Sequence, residues 1–384
     1  AEIMSEYLFA CYTPLYMKAV VVVPTYNEAE NIGLYIDKLQ ETFLKVPKKW
    51  EMSILVVDDT SPDGTAGVVE KSMKKYKNVF LFLNATKVGL GGAYIKGIQY
   101  AIDKLKAEVI LQSDADFQHD PNLIPKFLEK IDAGADLVLG CRYIKGGSIP
   151  KYWGLERKFL SIGGNLFIRL LMLDGQVHDW TTGFRAMKKW VFSEVKDKIT
   201  ELRTYSYQIS FVHFAREVGA VVAEVPLNFR DRFKGQSKMP GIEGTIKTFW
   251  FVIKTSKIIK FGLVGFIGYL VNAGFLQLLS GYGELLAWAV STELAIVSNF
   301  TLNNLWTFKS EKISGLKRLV SKFLQFNLTS SGGLIIQTIL GYLAVTYLNI
   351  PRQIALPIII AFIVLPYNYF MYTKVIWKKV PNRK

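Results

Sequence analysis

The chain has 384 residues and a formal net charge of +15; half of its residues are hydrophobic and 14% are aromatic. The apolar excess gathers after residue 257, which excludes a simple soluble globule and points to a membrane domain, and the basic residues flank the apolar runs, so anionic lipid and phosphate-bearing substrates account for the charge better than nucleic acid does. Two cysteines, Cys11 and Cys141, exclude a disulfide framework, and the three histidines, His119, His178 and His213, are too scattered for a zinc site.

Residues 1–16 show no period and no basic stretch of signal-peptide type, and are expected to be an N-terminal arm or an appended segment. Ala19 to Val23 is a β-branched run, expected to be a buried parallel strand; it ends in Pro24-Thr25-Tyr26-Asn27-Glu28, and a helix is predicted over 29–43. A second strand over 53–57 ends in Asp58-Asp59-Thr60-Ser61-Pro62-Asp63-Gly64-Thr65, with a helix to about residue 76 and a third strand over 79–83. Gly89-Leu90-Gly91-Gly92-Ala93 opens the next helix, whose N-terminal amides are expected to face an anion. Glu108 to Ser113 reads as a buried strand that delivers Asp114-Ala115-Asp116-Phe117-Gln118-His119-Asp120-Pro121 at its end. A further strand over 135–139 runs into Gly140-Cys141-Arg142-Tyr143, with Cys141 as a small buried filler. Strands alternating with helices predict a mostly parallel, doubly wound sheet, whose right-handed crossovers carry Pro24 to Glu28, Asp58-Asp59, Asp114 to Gln118 and Arg142 to one edge.

Two carboxylates two residues apart at a strand end repel each other unless a cation lies between them. Hard oxygen donors select Mg2+ or Mn2+, which bridge to substrate phosphates. Taken alone, the same acidic turn also reads as a solvated helix cap with Pro121 at the first helical position. The glycine-rich stretch is neither a G-x-G-x-x-G after the first strand nor a G-x-x-x-x-G-K-[ST] loop, which sets aside dinucleotide oxidoreductases and P-loop kinases.

Further along, Glu156 to Ser161 and the apolar stretch 166–173 around Arg169 predict an amphipathic helix in the membrane interface. Residues 241–257 mix Ile246, Phe249, Trp250 and Ile253 with Lys247, Lys254 and Lys257 and read as an interfacial linker. Four apolar segments near 258–280, 284–307, 323–348 and 353–376 are each long enough to span a bilayer. The middle link carries Lys309, Lys312, Lys317, Arg318 and Lys322 and the tail is basic, whereas the other two links hold a single Arg352. This asymmetry predicts a multi-pass protein of the cell membrane with the catalytic domain, middle loop and C-terminus in the cytoplasm. A faint repeat pairs Lys260-Phe261 with Lys322-Phe323, and Ser298-Asn299-Phe300 with Tyr367-Asn368-Tyr369, implying two hairpins in parallel orientation. Asn299, Asn303, Asn304 and Asn368 are expected to bond between helices, and Glu293 stands out as an ionisable group within a span.

Taken in order, Pro24-Thr25-Tyr26-Asn27-Glu28, Val57-Asp58-Asp59-x-Ser61-Pro62-Asp63-Gly64-Thr65, Gly89-Leu90-Gly91-x-Ala93-Tyr94, Asp114-Ala115-Asp116, Gly140-x-Arg142-Tyr143 and Arg230-Asp231-Arg232-x-x-Gly235-x-Ser237-Lys238 resemble a family 2 glycosyltransferase with a GT-A fold, within it the dolichol-phosphate mannose synthases, over roughly residues 18–240. The membrane half resembles the small GtrA-like proteins. The resemblance implies an α/β, Rossmann-like GT-A domain with a mostly parallel sheet over 17–240, an interfacial linker over 241–257, an all-α transmembrane domain of four helices over 258–378 and a basic tail over 379–384. It implies that Pro24, Tyr26, Glu28, Val57 and Asp59 line the nucleotide pocket. Asp114 and Asp116, with Gln118, would hold Mg2+ or Mn2+ on the donor diphosphate, Ala115 contributing backbone alone. Arg142, Arg232 and Lys238 would bind donor phosphate oxygens, with residues 232–238 as a closing flap and Asp116, Arg142 and Arg232 as the catalytic set. Arg142, Arg157 and Ser161 would grip the acceptor phosphate. The implied partners are GDP-mannose, dolichyl or another polyprenyl phosphate, and the lipid bilayer. UDP-glucose as donor, and a lipid-linked sugar translocase with an inactive transferase domain, stay open as alternatives; a processive polysaccharide synthase ranks low because no Q-x-x-R-W element is present.

Overall fold

The computed structural model describes residues 16–199, 206–230 and 242–378. The chain divides into two compact units, residues 1–251 and 252–384.

In the first unit, strands β1 (Met17–Thr25), β2 (Trp50–Asp58), β3 (Val79–Leu83), β4 (Val109–Gln112), β5 (Leu137–Cys141), β6 (Arg185–Lys188) and β7 (Val222–Pro226) form one sheet in the order β3-β2-β1-β4-β6-β5-β7. Only β6 runs antiparallel to its neighbours. Ala19 to Val23 are buried to the last residue, the signature of a strand covered on both faces. The helices are α1 (Ala29–Phe43), α2 (Thr65–Lys75), α3 (Gly89–Asp103), α4 (Ile124–Asp132), α5 (Leu155–Met172), α6 (Lys189–Ile199), α7 (Ser206–Glu217) and α8 (Ile242–Thr255), of which α1, α2, α3, α4 and α6 pack against the strands. Helix α1 buries Ile32, Tyr35, Ile36 and Leu39, one face at helical spacing. Helix α3 lies so close to the sheet that a Cβ on Gly97 would stand 2.5 Å from Val57 Cγ2. The strand order reverses between β1 and β4, and at such a switch point the loops leave the carboxyl ends in opposite directions and open a crevice.

The helix over 29–43 and the strand over 79–83 form as predicted. Strands β1 and β2 are longer than expected, because parallel pairing carries the ladder to Thr25 and Asp58. Strand β6 was not anticipated: a buried arginine in its first position, Arg185, masks the apolar pattern. Inside the core its Nη1 and Nη2 donate to the Thr182 carbonyl and to the carbonyl and side chain of Gln208, while its Nε has no hydrogen-bond partner among the described residues.

In the second unit, four helical spans cover Lys257–Leu278, Glu284–Thr307, Leu316–Thr346 and Arg352–Ile376, each long and apolar enough to cross a membrane. The third begins at Leu316 rather than near 323, so Lys317, Arg318 and Lys322 ride on its first turns and not in a loop; long basic side chains tolerate this by extending their charges toward water. The repeat has a physical counterpart. A Cβ on Gly268 would stand 2.2 Å from Asn299 Oδ1, and one on Gly333 would stand 2.7 Å from Asn368 Oδ1, so each hairpin seats an asparagine on a glycine. Asn304 accepts from Trp377 Nε1 at 3.0 Å and from the Ile313 amide at 2.8 Å, tying the end of the second span to that of the fourth. Asn299 and Asn368 serve as packing knobs, and Asn304 bonds to a loop and to Trp377. Glu293 lies exposed on the second span.

Candidate active site

The loops leaving β1, β2 and β4 each hold one non-glycine residue in the left-handed region: Asn27 (φ 56°), Thr60 (φ 64°) and Phe117 (φ 62°). Such conformations cost free energy, most of all for β-branched Thr60, and cluster where a loop must present groups to a ligand. The Asp58-to-Thr65 segment is a buckle for the first of these loops. Asp58 accepts from Thr25 Oγ1 at 3.0 Å and from the Ser61 amide at 2.9 Å, and Ser61 Oγ accepts from the Asn27 amide at 3.0 Å. Asp63 accepts from the Ala29 amide at 3.0 Å, and Thr65 Oγ1 from the Glu28 amide at 3.0 Å. The short polar side chains of this motif therefore set the backbone of residues 25–29.

Pro24 and Val57 are partners in the β1–β2 ladder, so the two expected nucleotide residues sit side by side. The Val57 side chain is fully buried in the core, which leaves only its backbone to a ligand. The ammonium of Lys87 lies over the Tyr26 ring at 3.4 Å from its centroid, a cation at the nucleotide end that no periodicity announced. Asp59 is 4% exposed. Its oxygens accept from Asn84 Nδ2 at 3.1 Å, the Val88 amide at 2.8 Å and the Gly89 amide at 2.8 Å. The anion at the mouth of α3 is thus the chain's own Asp59, a correction to the expectation that these amides await a ligand; a carboxylate at a helix N-terminus satisfies both dipole and donors.

The acidic turn is held from three sides. Tyr94 on α3 donates to Asp114 Oδ1 at 2.9 Å, and the Asp114 amide donates to His119 Nδ1 at 3.1 Å. Burial pushes the His119 imidazole down to about 4, so the ring is neutral and its Nδ1 can accept. Burial, then the neighbouring Asp114 carboxylate, pushes the Tyr94 phenol well up, which keeps its proton available. His119 stacks on Phe184 with centroids 5.1 Å apart, and a Cβ on Gly183 would lie 3.3 Å from His119 Cε1. Asp116 is 1% exposed and accepts from the Gln118 amide at 3.1 Å; Ala115 is buried. Among the described residues no group of three or more His, Cys, Asp or Glu is arranged so that it could hold a metal ion by itself. The two carboxylates and the Gln118 side-chain carboxamide put oxygen atoms in one turn, a donor type that suits Mg2+ or Mn2+, completed by phosphate and water, better than zinc.

Of the residues expected to grip the acceptor phosphate, Arg142 leaves β5 and pairs with buried Asp179 at 2.7 Å. Tyr143 OH lies 2.7 Å from Ser161 Oγ, which sets Ser161 one residue away from Arg142 through that bond. Arg157 stacks on the Trp153 ring, 3.8 Å from its centroid, one helical turn before Ser161. Both belong to α5, whose Leu155, Phe159, Leu160, Ile162, Leu166 and Leu170 are exposed. Asn165 fastens this helix by donating to the His178 carbonyl at 2.5 Å and accepting from the Trp180 amide at 3.0 Å. Helix α8 adds exposed Ile246, Phe249 and Trp250, and its Phe249 ring stacks on Phe167 of α5 at 5.2 Å. Arg232, Lys238 and the expected flap lie outside the described residues. Lys87, Tyr94, His119 and Asp179 were not singled out as site residues. Tyr94 stands inside a motif that carries the resemblance and His119 within the acidic stretch that follows β4, whereas Lys87 and Asp179 have no local signal.

Residues 20–196 match the Glycosyl transferase family 2 model, and residues 260–377 the GtrA/DPMS transmembrane domain. The dolichol-phosphate mannosyltransferase of Pyrococcus furiosus is 32% identical over 351 residues, 88% of this chain and 94% of that protein. The polyprenol monophosphomannose synthase of Mycolicibacterium smegmatis is 35% identical over 225 residues, 58% of this chain and 82% of its own length. The undecaprenyl-phosphate mannosyltransferase of Micrococcus luteus is 35% identical over 225 residues, 59% of this chain and 88% of its own length. Among solved structures, glucosyl-3-phosphoglycerate synthase from Mycobacterium tuberculosis aligns with a TM-score of 0.44 at 16% identity, over 62% of this chain and 80% of that one, a likeness too loose to carry residues across.

Proposed function

The chain belongs to the family 2 glycosyltransferases that carry a GtrA/DPMS transmembrane domain, and from that premise we propose that it transfers mannose from GDP-mannose to dolichyl or another polyprenyl phosphate. The observation that carries this reading lies in the same unit as the acidic turn: Tyr143, the residue after Arg142, bonds Ser161 on a helix whose exposed side is apolar. Phosphate chemistry next to a lipid-seeking surface suits an acceptor whose reactive head is charged and whose tail stays in the bilayer. The three relatives, a dolichol-phosphate mannosyltransferase, a polyprenol monophosphomannose synthase and an undecaprenyl-phosphate mannosyltransferase, support the same choice.

In this reaction a phosphate oxygen of the acceptor attacks the anomeric carbon, a new carbon–oxygen bond forms, and the bond to GDP breaks with its electron pair leaving on the diphosphate. Attack from the opposite face inverts the centre and gives dolichyl β-D-mannosyl phosphate from an α-linked donor. A phosphate monoester is nucleophilic near neutral pH without a strong base, so the chain's work is positioning, charge balance and exclusion of water. Asp114, Asp116 and Gln118 would hold Mg2+ or Mn2+, whose Lewis acidity offsets charge on the leaving diphosphate. Pro24, Tyr26 and Glu28 receive the base, with Lys87 above the Tyr26 ring available to the donor's phosphates, whereas Asp59, its oxygens taken by Asn84, Val88 and Gly89, serves the protein's own loops. Arg142, Arg157 and Ser161 receive the acceptor phosphate, and Arg232 and Lys238 are assigned to the donor's phosphate oxygens. The basic residues between the second and third spans favour a cytoplasmic catalytic unit.

The test is product formation by the full chain in detergent with labelled GDP-mannose, dolichyl phosphate and Mg2+ or Mn2+. A chloroform-soluble mannolipid that disappears with EDTA and in an Asp116→Ala chain is expected. Label arriving only from UDP-glucose would overturn the donor assignment, and no lipid product from either donor would leave the translocase reading in its place.

A further inference from the structure

Arg142 is gripped more completely than a phosphate-binding side chain requires. Asp179, fully buried in the loop before β6, accepts from Arg142 Nε at 2.7 Å on Oδ2 and from Nη2 at 2.8 Å on Oδ1. The same Oδ2 accepts from the Arg142 amide at 3.2 Å, so backbone and side chain are held by one carboxylate. Thr181 Oγ1 lies 2.5 Å from Nη2 and 3.2 Å from Asp179 Oδ1. The carboxylate is itself anchored: the Asp179 amide donates to Glu224 Oε1 of β7 at 3.2 Å, and the preceding His178 amide to the same oxygen at 2.7 Å. The rings of Tyr143 and Phe229 flank the guanidinium, 5.1 and 5.4 Å from Cζ. A planar guanidinium held along its Nε–Nη2 edge can take only one orientation, with the Nη1 edge turned away from Asp179.

We propose that Asp179, with Thr181, is a positioning residue that holds Arg142 in the one orientation in which its outer edge meets the reacting phosphate. The proposal rests on the reading of Arg142 as a phosphate-binding group given above. An unclamped arginine must surrender the freedom of a long side chain when it grips an anion, and a clamp built during folding removes that cost from the binding step. The clamp also partly neutralises the guanidinium. What Arg142 then offers is a directed hydrogen-bond edge more than a net field, and geometry becomes the property that matters.

A double-mutant cycle on the full chain in detergent, read as kcat and KM for polyprenyl phosphate, tests this. Asp179→Asn sets an amide N–H against the guanidinium and is expected to lower kcat/KM by about 10- to 100-fold. In an Arg142→Ala background the same change should cost nothing more. Losses that multiply would overturn the proposal, because a merely structural Asp179 would add its damage to that of Arg142→Ala. An Arg142→Ala chain with full activity would overturn the phosphate role of Arg142 and the proposal together. If Asp179→Asn does not fold, Thr181→Val enters the same cycle: a loss of about 2- to 10-fold that vanishes in the Arg142→Ala background is expected, and one that persists there overturns the proposal.

Discussion

At the scale of single residues, the site is a set of carboxylates with different duties. Asp58, Asp59 and Asp63 spend their oxygens on backbone amides and hydroxyls of neighbouring loops. Asp114 is held by a buried phenol and through its own amide by a neutral imidazole, which orients it from the protein side. Outer partners of this kind commonly tune ion affinity by about 10- to 100-fold. Tyr94→Phe should therefore weaken Mn2+ binding, measured by electron paramagnetic resonance without substrate, while Asp116→Ala abolishes it; unchanged affinity in Tyr94→Phe would remove the orienting role. Asp179 has a pH signature. Burial alone would raise its carboxyl, but the Arg142 guanidinium and the bonds to it hold it below the ordinary 3.8. A depressed carboxyl stabilises the fold fully above its unfolded value, and that contribution is lost as pH falls through the folded value. The gap in thermal midpoint between the parent chain and Asp179→Asn should be constant near neutrality and shrink below about pH 4; a gap that stays constant to pH 3 would show that the pair is not charged as described.

At the scale of elements, two kinds of close approach organise the chain. In the first unit α3 is the connecting element: its N-terminal amides cap Asp59, its Tyr94 holds Asp114, and Gly97 lets it settle on β1 and β2. One helix thereby ties the loop leaving β2 to the acidic turn. In the second unit each hairpin has a glycine–asparagine seat, beside a buried aromatic cluster of Phe261, Phe300, Phe308, Phe326, Tyr372 and Trp377. Gly268→Ala would drive a methyl group into Asn299, and Gly333→Ala into Asn368, each expected to destabilise by about 1–3 kcal/mol. Gly265→Ala, where nothing lies within 4 Å, should be neutral. Thermal unfolding in detergent reads all three, and a Gly268→Ala chain as stable as Gly265→Ala would refute the seat. Restoration of stability by Asn299→Ala in the Gly268→Ala background would locate the clash.

At the scale of the whole molecule, composition and period had already separated a mostly parallel α/β unit from four membrane helices, because β-branched runs, turn residues and apolar stretches of spanning length are local properties. Between 6% and 22% of the most apolar stretch of each span is buried within the protein, so most of those side chains face outward, as lipid contact demands. The candidate residues were legible wherever a short motif leaves a strand end: the acidic turn, the Asp58-to-Thr65 buckle and Arg142 each carry their chemistry within a few consecutive positions. The rest belongs to tertiary structure. Asp179 meets Arg142 across 37 residues and Asp59 meets the Val88 amide across 29, with no spacing or composition to announce either pair. Strand β6 stayed hidden because its arginine is compensated by Gln208, which comes from a helix later in the chain. Sequence by itself determined the kinds of element, the membrane spans and the chemistry offered at the strand ends, since each depends on neighbours along the chain. Only the fold decided which carboxylates face a ligand and which serve the protein, because that depends on which donors from distant elements reach them first.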